Sequence, residues 1–376
     1  MRLKVNVFVA TLTLSLFGIL MIYSASSYSA EINIGDAYFY VKKQALAFGV
    51  GLVGMIAVTK INLDLFKKAY IVIYVVSMVL LLMLFIPGVG SSSYGATRWL
   101  DLGFITFQPS EIAKFGLVMF LATYMDKYPP TTIKRLIVPI VSGLAMCVAV
   151  MFEPNMSITM CIGLALLIML FVGGVRWRYI GIMGGAACVA IPALIIAEPY
   201  RIKRLFAFLD PWATPKAEGY QLIQSYYALG SGGLFGVGLF ASRQKYLFLP
   251  FSESDFIFSV IGEELGLVGC IAVIAVFLLL ICSGVLIALR AEDRYSSLLA
   301  TGITAIIAVQ TTINIAVVSG SIPPTGLPLP YISAGGSSLI VFMIASGLLM
   351  NIAVNKCGKR NYPNKQKQKF IYSKKV

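Results

Sequence analysis

LGLVGCIAVIAVFLLLICSGVLIAL, residues 265–289, runs between Glu264 and Arg290 without a single charge. As a helix at about 1.5 Å per residue it is longer than the roughly 30 Å hydrocarbon core of a bilayer. Working outward, nine more apolar runs of similar kind fall at 5–25, 44–60, 69–87, 110–125, 136–152, 157–174, 179–197, 296–319 and 338–355. The whole chain of 376 residues is 59% hydrophobic and 12% charged, against roughly 25% charged in a soluble domain. The expectation is an all-α polytopic membrane protein of about ten spans. The first run follows Arg2 and Lys4 and could pass for a signal peptide, but nine further spans favour an uncleaved anchor.

Basic residues set the orientation. With the N-terminus inside, the inner segments hold Arg2, Lys4, Lys60, Lys67, Lys68, Lys127, Lys134, Arg135, Arg176, Arg178, Arg290, Arg294 and the eight Lys and Arg of residues 356–376. Nine others fall in outer loops, and Lys114 falls in a span. Both termini are therefore expected on the cytoplasmic side. Residues 1–355 are expected to form one ten-span membrane domain, followed by a basic cytoplasmic tail over 356–376. Three outer segments exceed simple connectors: 87–109, 198–264 (the large loop between spans 7 and 8) and 320–337. All face one side, so the economical place for a site is the extracytoplasmic face.

The net charge of +14 does not indicate nucleic acid, because the cations sit in short loops between apolar runs, as loops held against anionic lipid do. The six cysteines fall in apolar runs or in the tail, which predicts small buried hydrophobes rather than disulfides. There is no histidine. That excludes Ser-His and Cys-His nucleophilic systems and histidine metal sites, leaving Asp, Glu, Lys or Tyr for acid–base work.

Ionisable groups at a membrane edge are functional candidates by default. Asp255-Phe256-Ile257-Phe258-Ser259 leads to Glu263-Glu264. If helical throughout, it places Asp255, Ser259, Gly262 and Glu263 on one face, with Asp255 about 12 Å above Glu263 at the outer rim. The bland alternatives are a first-turn acid for Asp255 and a salt bridge for Glu263. In Gln108-Pro109-Ser110-Glu111 with Lys114, Ser110 suits a helix N-cap, and Glu111 and Lys114 can pair three residues apart. Arg98-Trp99 reads either as substrate contact or as an interface anchor. Basic residues beside the glycines of 230–238, notably Ser242-Arg243-Gln244-Lys245, suit phosphate or pyrophosphate, or simply lipid headgroups.

These pieces, in this order, resemble the shape, elongation, division and sporulation (SEDS) family, which includes FtsW, RodA and SpoVE. The resemblance covers about residues 5–355. It rests on Tyr23-Ser24-Ala25-Ser26, Lys43-Gln44, Arg98-Trp99, Gln108-Pro109-Ser110-Glu111 with Lys114, Tyr200-Arg201, Asp210-Pro211-Trp212, Gly232-Gly233-Leu234-Phe235-Gly236, Ser242-Arg243-Gln244-Lys245, Asp255-Phe256-Ile257-Phe258 with Glu263-Glu264, and Thr325-Gly326-Leu327-Pro328-Leu329-Pro330 running to Ser333 and Gly335-Gly336-Ser337-Ser338. The contexts of Tyr200 and Ser242 look closer to the FtsW and SpoVE branch.

The resemblance implies a peptidoglycan glycosyltransferase in the bacterial plasma membrane that polymerises lipid II and releases undecaprenyl pyrophosphate. It implies Asp255 as the essential aspartate and Lys43, Arg98, Lys114, Arg243 and Lys245 as lining or supporting the substrate cavity. Trp99, Gln108, Ser110, Glu111, Gln244, Glu263, Ser333, Gly335, Gly336 and Ser337 complete the candidate substrate-binding set. With no histidine, Asp255 is the best-placed base for the acceptor hydroxyl, and attack opposite the leaving group would invert an α-linked donor to a β-linked glycan. Arg, Lys or a divalent cation, Mg or Mn, would stabilise the leaving pyrophosphate; no metal site is identifiable from sequence. The implied partners are a class B penicillin-binding protein, membrane lipids and division proteins. Two positions depart from the family pattern: Glu153-Pro154-Asn155 stands for the more typical Gln-Pro-Asp, and Ala334 for a Tyr. If the usual acid binds a charge or metal, Asn155 weakens that role and Glu153 is placed to compensate. The competing functions are a lipid II flippase, which Glu111, Lys114 and Glu263 would suit as a polar path, and a non-catalytic scaffold for the transpeptidase.

Overall fold

The computed structural model describes residues 2–86, 90–93, 96–101, 106–153, 155–355 and 357. The basic tail expected over 356–376 lies, Cys357 apart, outside the described residues. Thirteen helices follow one another among them: α1 Arg2–Ile34, α2 Phe39–Lys60, α3 Leu63–Lys68, α4 Tyr70–Met83, α5 Pro109–Lys127, α6 Ile133–Phe152, α7 Met156–Val172, α8 Trp177–Ile196, α9 Pro199–Leu209, α10 Tyr220–Gly232, α11 Ile257–Arg290, α12 Arg294–Val318 and α13 Gly336–Asn355. Each of the ten expected spans is a helix. Six (α1, α2, α6, α11, α12, α13) are long and apolar enough to cross a membrane by length and composition, and α4 and α7 are shorter apolar helices.

One region differs from the all-helical expectation. Between α4 and α5 the chain forms a small antiparallel sheet, β1 Gly90–Ser93, β2 Ala96–Asp101 and β3 Thr106–Phe107, in the order β1-β2-β3. The large segment between α8 and α11, expected as a loop, holds helices of its own: α9, a 3-10 turn at Pro211–Ala213 and α10. Pro199 opens α9 at its first turn, and the Asp210 carboxylate caps the turn at Trp212 and Ala213.

α12 and α13 are the most enclosed spans, with α1, α2, α5, α7 and α11 packed around them. Small residues allow this closeness. At Gly347 of α13, a Cβ would stand 2.5 Å from the Met55 carbonyl oxygen of α2. Many outward apolar side chains are exposed, among them Leu46, Val53, Ile182, Val189 and Leu278, as lipid-facing helix surfaces are. Cys161 and Cys270 are buried as expected, but Cys188 and Cys282 are exposed, on faces of α8 and α11 with no protein against them.

α11 is not one continuous helix. It breaks at Gly266 (φ 65°, ψ −165°), a backbone region open essentially to glycine alone. The glycine-rich segment after α10 fills the break. Val237 and Gly238 N–H donate to the Glu263 and Glu264 carbonyls (2.9 and 3.1 Å), and the Gly233 and Leu234 carbonyls accept from Leu267 and Val268 (2.9 and 3.1 Å). A helix break inside a membrane leaves polar backbone that must be satisfied, and the exchange does so. The approach is too close for side chains: a Cβ on Gly266 would stand 2.4 Å from the Gly236 nitrogen.

Candidate active site

Asp255 sits in the turns just before α11, which begins only at Ile257. The expected helical face shared by Asp255 and Glu263 therefore does not form. Asp255 is held instead by the long loop between α12 and α13. The Asn314 amide donates to the Asp255 carbonyl (2.9 Å) and to the Leu327 carbonyl (2.7 Å). Gly326, at φ +73°, lies so near that a Cβ would come 3.3 Å from the Asp255 Oδ2. Ser333 donates to the Ser254 carbonyl (2.6 Å) and accepts from Leu329 N–H (2.8 Å), and Ala334 N–H donates to the Glu253 carbonyl (2.9 Å). Gln44 of α2 grips the same loop, donating to the Ser333 carbonyl (3.2 Å) and accepting from Gly335 N–H (3.1 Å).

Asp255 is half-buried. Burial pushes its carboxyl from the usual 3.8 up to about 6, against the pull of Arg204 and Arg98 and with help from Glu253. The two guanidinium groups are fixed by backbone: Arg204 of α9 donates to the Pro324 carbonyl (3.3 Å) and Arg98 of β2 to the Glu153 carbonyl (3.4 Å). Burial, then the neighbouring Arg204 charge, lowers the Arg98 pKa. Glu153, at the end of α6, is 1% exposed, and neither carboxyl oxygen has a hydrogen-bond partner. Burial raises it to about 8, opposed by Arg98 and the nearby Ser110 hydroxyl. Unpartnered polar oxygens also occur at Ser110, Asn314 Oδ1 and Thr325, a concentration that native interiors rarely tolerate without a role. Asn155 caps α7 through Ile158 N–H (3.3 Å), and Ser157 of that helix donates to the Thr325 carbonyl.

The structure separates the other candidates. Lys114 is wholly buried and self-satisfied: its ammonium meets Glu111 (2.9 Å) and Gln310 (2.5 Å) and lies over the Phe342 ring, while Ser338 donates to the other Glu111 oxygen (2.9 Å). Ser110 is not the N-cap of α5. That position is Gln108, with no side-chain cap, and Pro109 occupies the first turn. Glu263 anchors the 242–245 turn, accepting from the Ser242 hydroxyl (2.5 Å), Arg243 N–H (2.8 Å) and Gln244 N–H (3.4 Å). Lys245 is buried on Glu264 (3.3 Å), the Phe240 carbonyl (2.6 Å) and Ser24 (3.2 Å). Within that turn Arg243 stays exposed and Gln244 half-buried. Lys43 is exposed over the Phe39 ring; Trp99 is half-buried in β2 beside Arg98. Gly336 opens α13, and the Ser337 hydroxyl has no partner. The glycines of 230–238 do not form a free phosphate cradle, since the N–H groups at 236, 237 and 238 are engaged on backbone.

Four residues that position the site were outside the candidate set: Gln44, Arg204, Gln310 and Asn314. Polar side chains inside apolar runs were the available signal for Gln310 and Asn314.

A multi-pass helical bundle with a polar site walled by the long loops at one end is the class these features define. The family model described as "Cell cycle protein", FtsW/RodA/SpoVE, matches residues 4–357, and the chain belongs to this family. It is 37% identical over 349 residues to the probable peptidoglycan glycosyltransferase FtsW of Geobacter sp. strain M18, covering 92% of this chain and 95% of that one. It is likewise 37% identical over 349 residues to stage V sporulation protein E of Bacillus subtilis strain 168, with the same coverage. A chain from the structure "Structural coordination of polymerization and crosslinking by a peptidoglycan synthase complex" superposes with a TM-score of 0.77 at 25% identity, covering 92% of this chain and 96% of that one. The rod shape determining protein RodA of Thermus thermophilus shares the fold, with a TM-score of 0.70 at 23% identity over 94% of this chain and 97% of that one.

Proposed function

We propose that the chain is a peptidoglycan glycosyltransferase that polymerises lipid II on the outer face of the bacterial plasma membrane, with Asp255 as general base. The observation that carries this is Asp255 itself: a half-buried carboxyl at the mouth of the bundle, raised to about 6 and flanked by Arg98 and Arg204. A base with a pKa just below neutral is ionised at working pH yet still basic enough to take a proton. In the reaction Asp255 takes the proton of the acceptor 4-hydroxyl, whose oxygen attacks the donor anomeric carbon from the face opposite the lipid pyrophosphate. The glycosidic bond forms with inversion, the pyrophosphate leaves, and Arg98, Arg204 and the exposed Arg243 supply positive charge where it departs.

Among the described residues no group of three or more His, Cys, Asp or Glu stands together. A divalent cation would rest on the substrate phosphates and on neutral oxygens such as the unpartnered Asn314 Oδ1 and Thr325 Oγ1, leaving Asp255 free as base, a mode suited to Mg. When bound it would supply charge neutralisation for the leaving group.

Residues 1–355 act as one membrane domain with a cytoplasmic basic tail. The partner is a class B penicillin-binding protein, consistent with the neighbour being part of a synthase complex, and the role is septal, sporulation or elongation cell-wall synthesis, septal being the one favoured by the sequence contexts of Tyr200 and Ser242. The test is glycan formation from purified lipid II, with that partner present, by wild type and Asp255→Asn. Polymer from wild type alone supports the assignment. Equal polymer from both removes Asp255 from the chemistry, and lipid II movement across vesicles without polymer points to a flippase.

A further inference from the structure

Residues 233–248 were expected in an outer loop, yet apart from Arg243 their large exposed side chains are apolar or aromatic. Leu234, Val237, Leu239, Phe240, Leu247 and Phe248 are all exposed, and Phe235 is 80% exposed. Large apolar side chains left exposed in this number over one short segment mark an interaction site.

Two helices fix its depth independently. On α11 the backbone exchange holds Leu234 level with Val268. Leu267 lies 23 residues from Arg290 at the other end of the helix, about 35 Å along the axis, or about 32 Å at a typical tilt. On α1, Ser24 donates to Glu264 at 2.5 Å and lies twenty residues from Lys4, about 30 Å along the axis. Each distance matches the roughly 30 Å hydrocarbon thickness, so both helices place the segment at the edge of the hydrocarbon and not beyond it.

The neighbours agree. Leu267, Val268 and Ile271, directly below Leu234, are exposed on a helix that crosses the membrane. Tyr23 meets Phe240 and Tyr28 meets Tyr246 edge-on, with ring centroids 5.8 and 4.8 Å apart, a cluster of rings of the kind found at membrane interfaces. The apolar surface of 233–248 is thus the upper rim of the lipid-facing belt of α11.

We propose that residues 233–248 form a re-entrant foot in the headgroup–acyl boundary of the leaflet on the active-site side, and that phospholipid acyl chains cover Leu234 and Phe235. The sidedness rests on the proposed function; the depth does not. The foot gives the 242–245 turn its height: Glu263 and Glu264 tie that turn to the break in α11, so exposed Arg243 is held level with lipid phosphates.

The test places photoreactive benzoylphenylalanine at 235 in the full-length protein, in nanodiscs of phosphatidylglycerol and phosphatidylethanolamine, with Leu278 on the lipid face of α11 and Lys216 in the polar turn before α10 as reference positions. Lipid adducts, read by mass spectrometry, are expected at 235 at a yield comparable to 278 and about tenfold above 216. A yield at 235 as low as at 216 overturns the proposal, as does adduct formation mainly to another protein when the same variant is irradiated in native membranes. The readout does not depend on catalysis, so it fails separately from the polymerase assignment.

Discussion

Asp255→Asn keeps the shape of the side chain and removes its charge, and it should make the protein more stable while abolishing its chemistry. Burial raises the carboxyl from 3.8 to about 6, so keeping it ionised in the folded state costs about 3 kcal/mol relative to the unfolded chain. The native state holds the proton more tightly than the unfolded state. Stability therefore falls as pH rises from about 4 to 6 and carries the full cost above that range. Asparagine avoids this cost, and the pull of Arg204 and Arg98 is already contained in the shift. The gain is about 3 kcal/mol at pH 8 and falls to about 0.5 kcal/mol near pH 4, where the folded-state carboxyl is neutral and the unfolded one about half ionised. In detergent, thermal unfolding of the variant should sit about 3–8 °C above wild type at pH 8 and within about 1–2 °C of it near pH 4. The acid limb of wild-type activity should have its midpoint near pH 6. A variant no more stable than wild type at pH 8 would show that ion pairing, not desolvation, governs this carboxyl, and would remove the physical basis for its role as base.

Lys114→Ala should lower stability by about 3–5 kcal/mol, because it strands the buried Glu111 carboxylate; Lys114→Met with Glu111→Gln should recover much of that loss. A single variant with wild-type melting but lost substrate affinity would mean that Lys114 contacts substrate after all. Gly266→Ala should reduce stability by about 3 kcal/mol or more, since the alanine must take a glycine-only conformation and its Cβ would meet the Gly236 nitrogen at 2.4 Å; wild-type melting of that variant refutes the interlocked break. Arg243→Ala should raise KM for lipid II with melting unchanged, whereas Lys245→Ala should lower the melting temperature by leaving Glu264 unpaired. Equal melting of these two variants would contradict the division between an exposed and a clamped cation.

Helix positions were legible because apolar run length alone decides them: each of the ten runs is a helix. The interruption of the longest run was not, since Gly266 sits in an unbroken apolar string and only the arrival of residues 233–238 makes a break there affordable. Asp255 was legible as an acid at the outer rim ahead of the longest run, and Arg98 through its pairing with Trp99 in the 87–109 segment. Arg204 lies in a run with Arg201 and Lys203, but nothing local singles it out, because its partner, the Pro324 carbonyl, lies 120 residues away. Glu153 stood out as a departure in the sequence, and its isolation required the fold. The ionisable residues nearest to or inside the spans (Glu111, Lys114, Glu263) were legible as anomalies but not as clamps, because pairing between distant helices leaves no trace in local spacing.

The motif residues divide by what water can reach. Lys114, Lys245, Glu111, Glu263 and Glu264 are each within a few percent of complete burial, and each holds one segment to another. A charge so placed has no capacity left for a phosphate, and freeing it would expose an uncompensated partner. What these clamps hold is the informative part. The Glu263 and Glu264 carboxylates fix the turn that carries Arg243, and the hydrogen bonds of Ser333, Gln44 and Asn314 fix the turn that carries Asp255. Asp255 and Arg243 thus stand on separate supports, joined through the first turns of α11. Changes in the membrane-facing segment 233–248 should alter how the lipid pyrophosphate is held while leaving the Asp255 surroundings intact. KM and kcat variants should accordingly map to different supports.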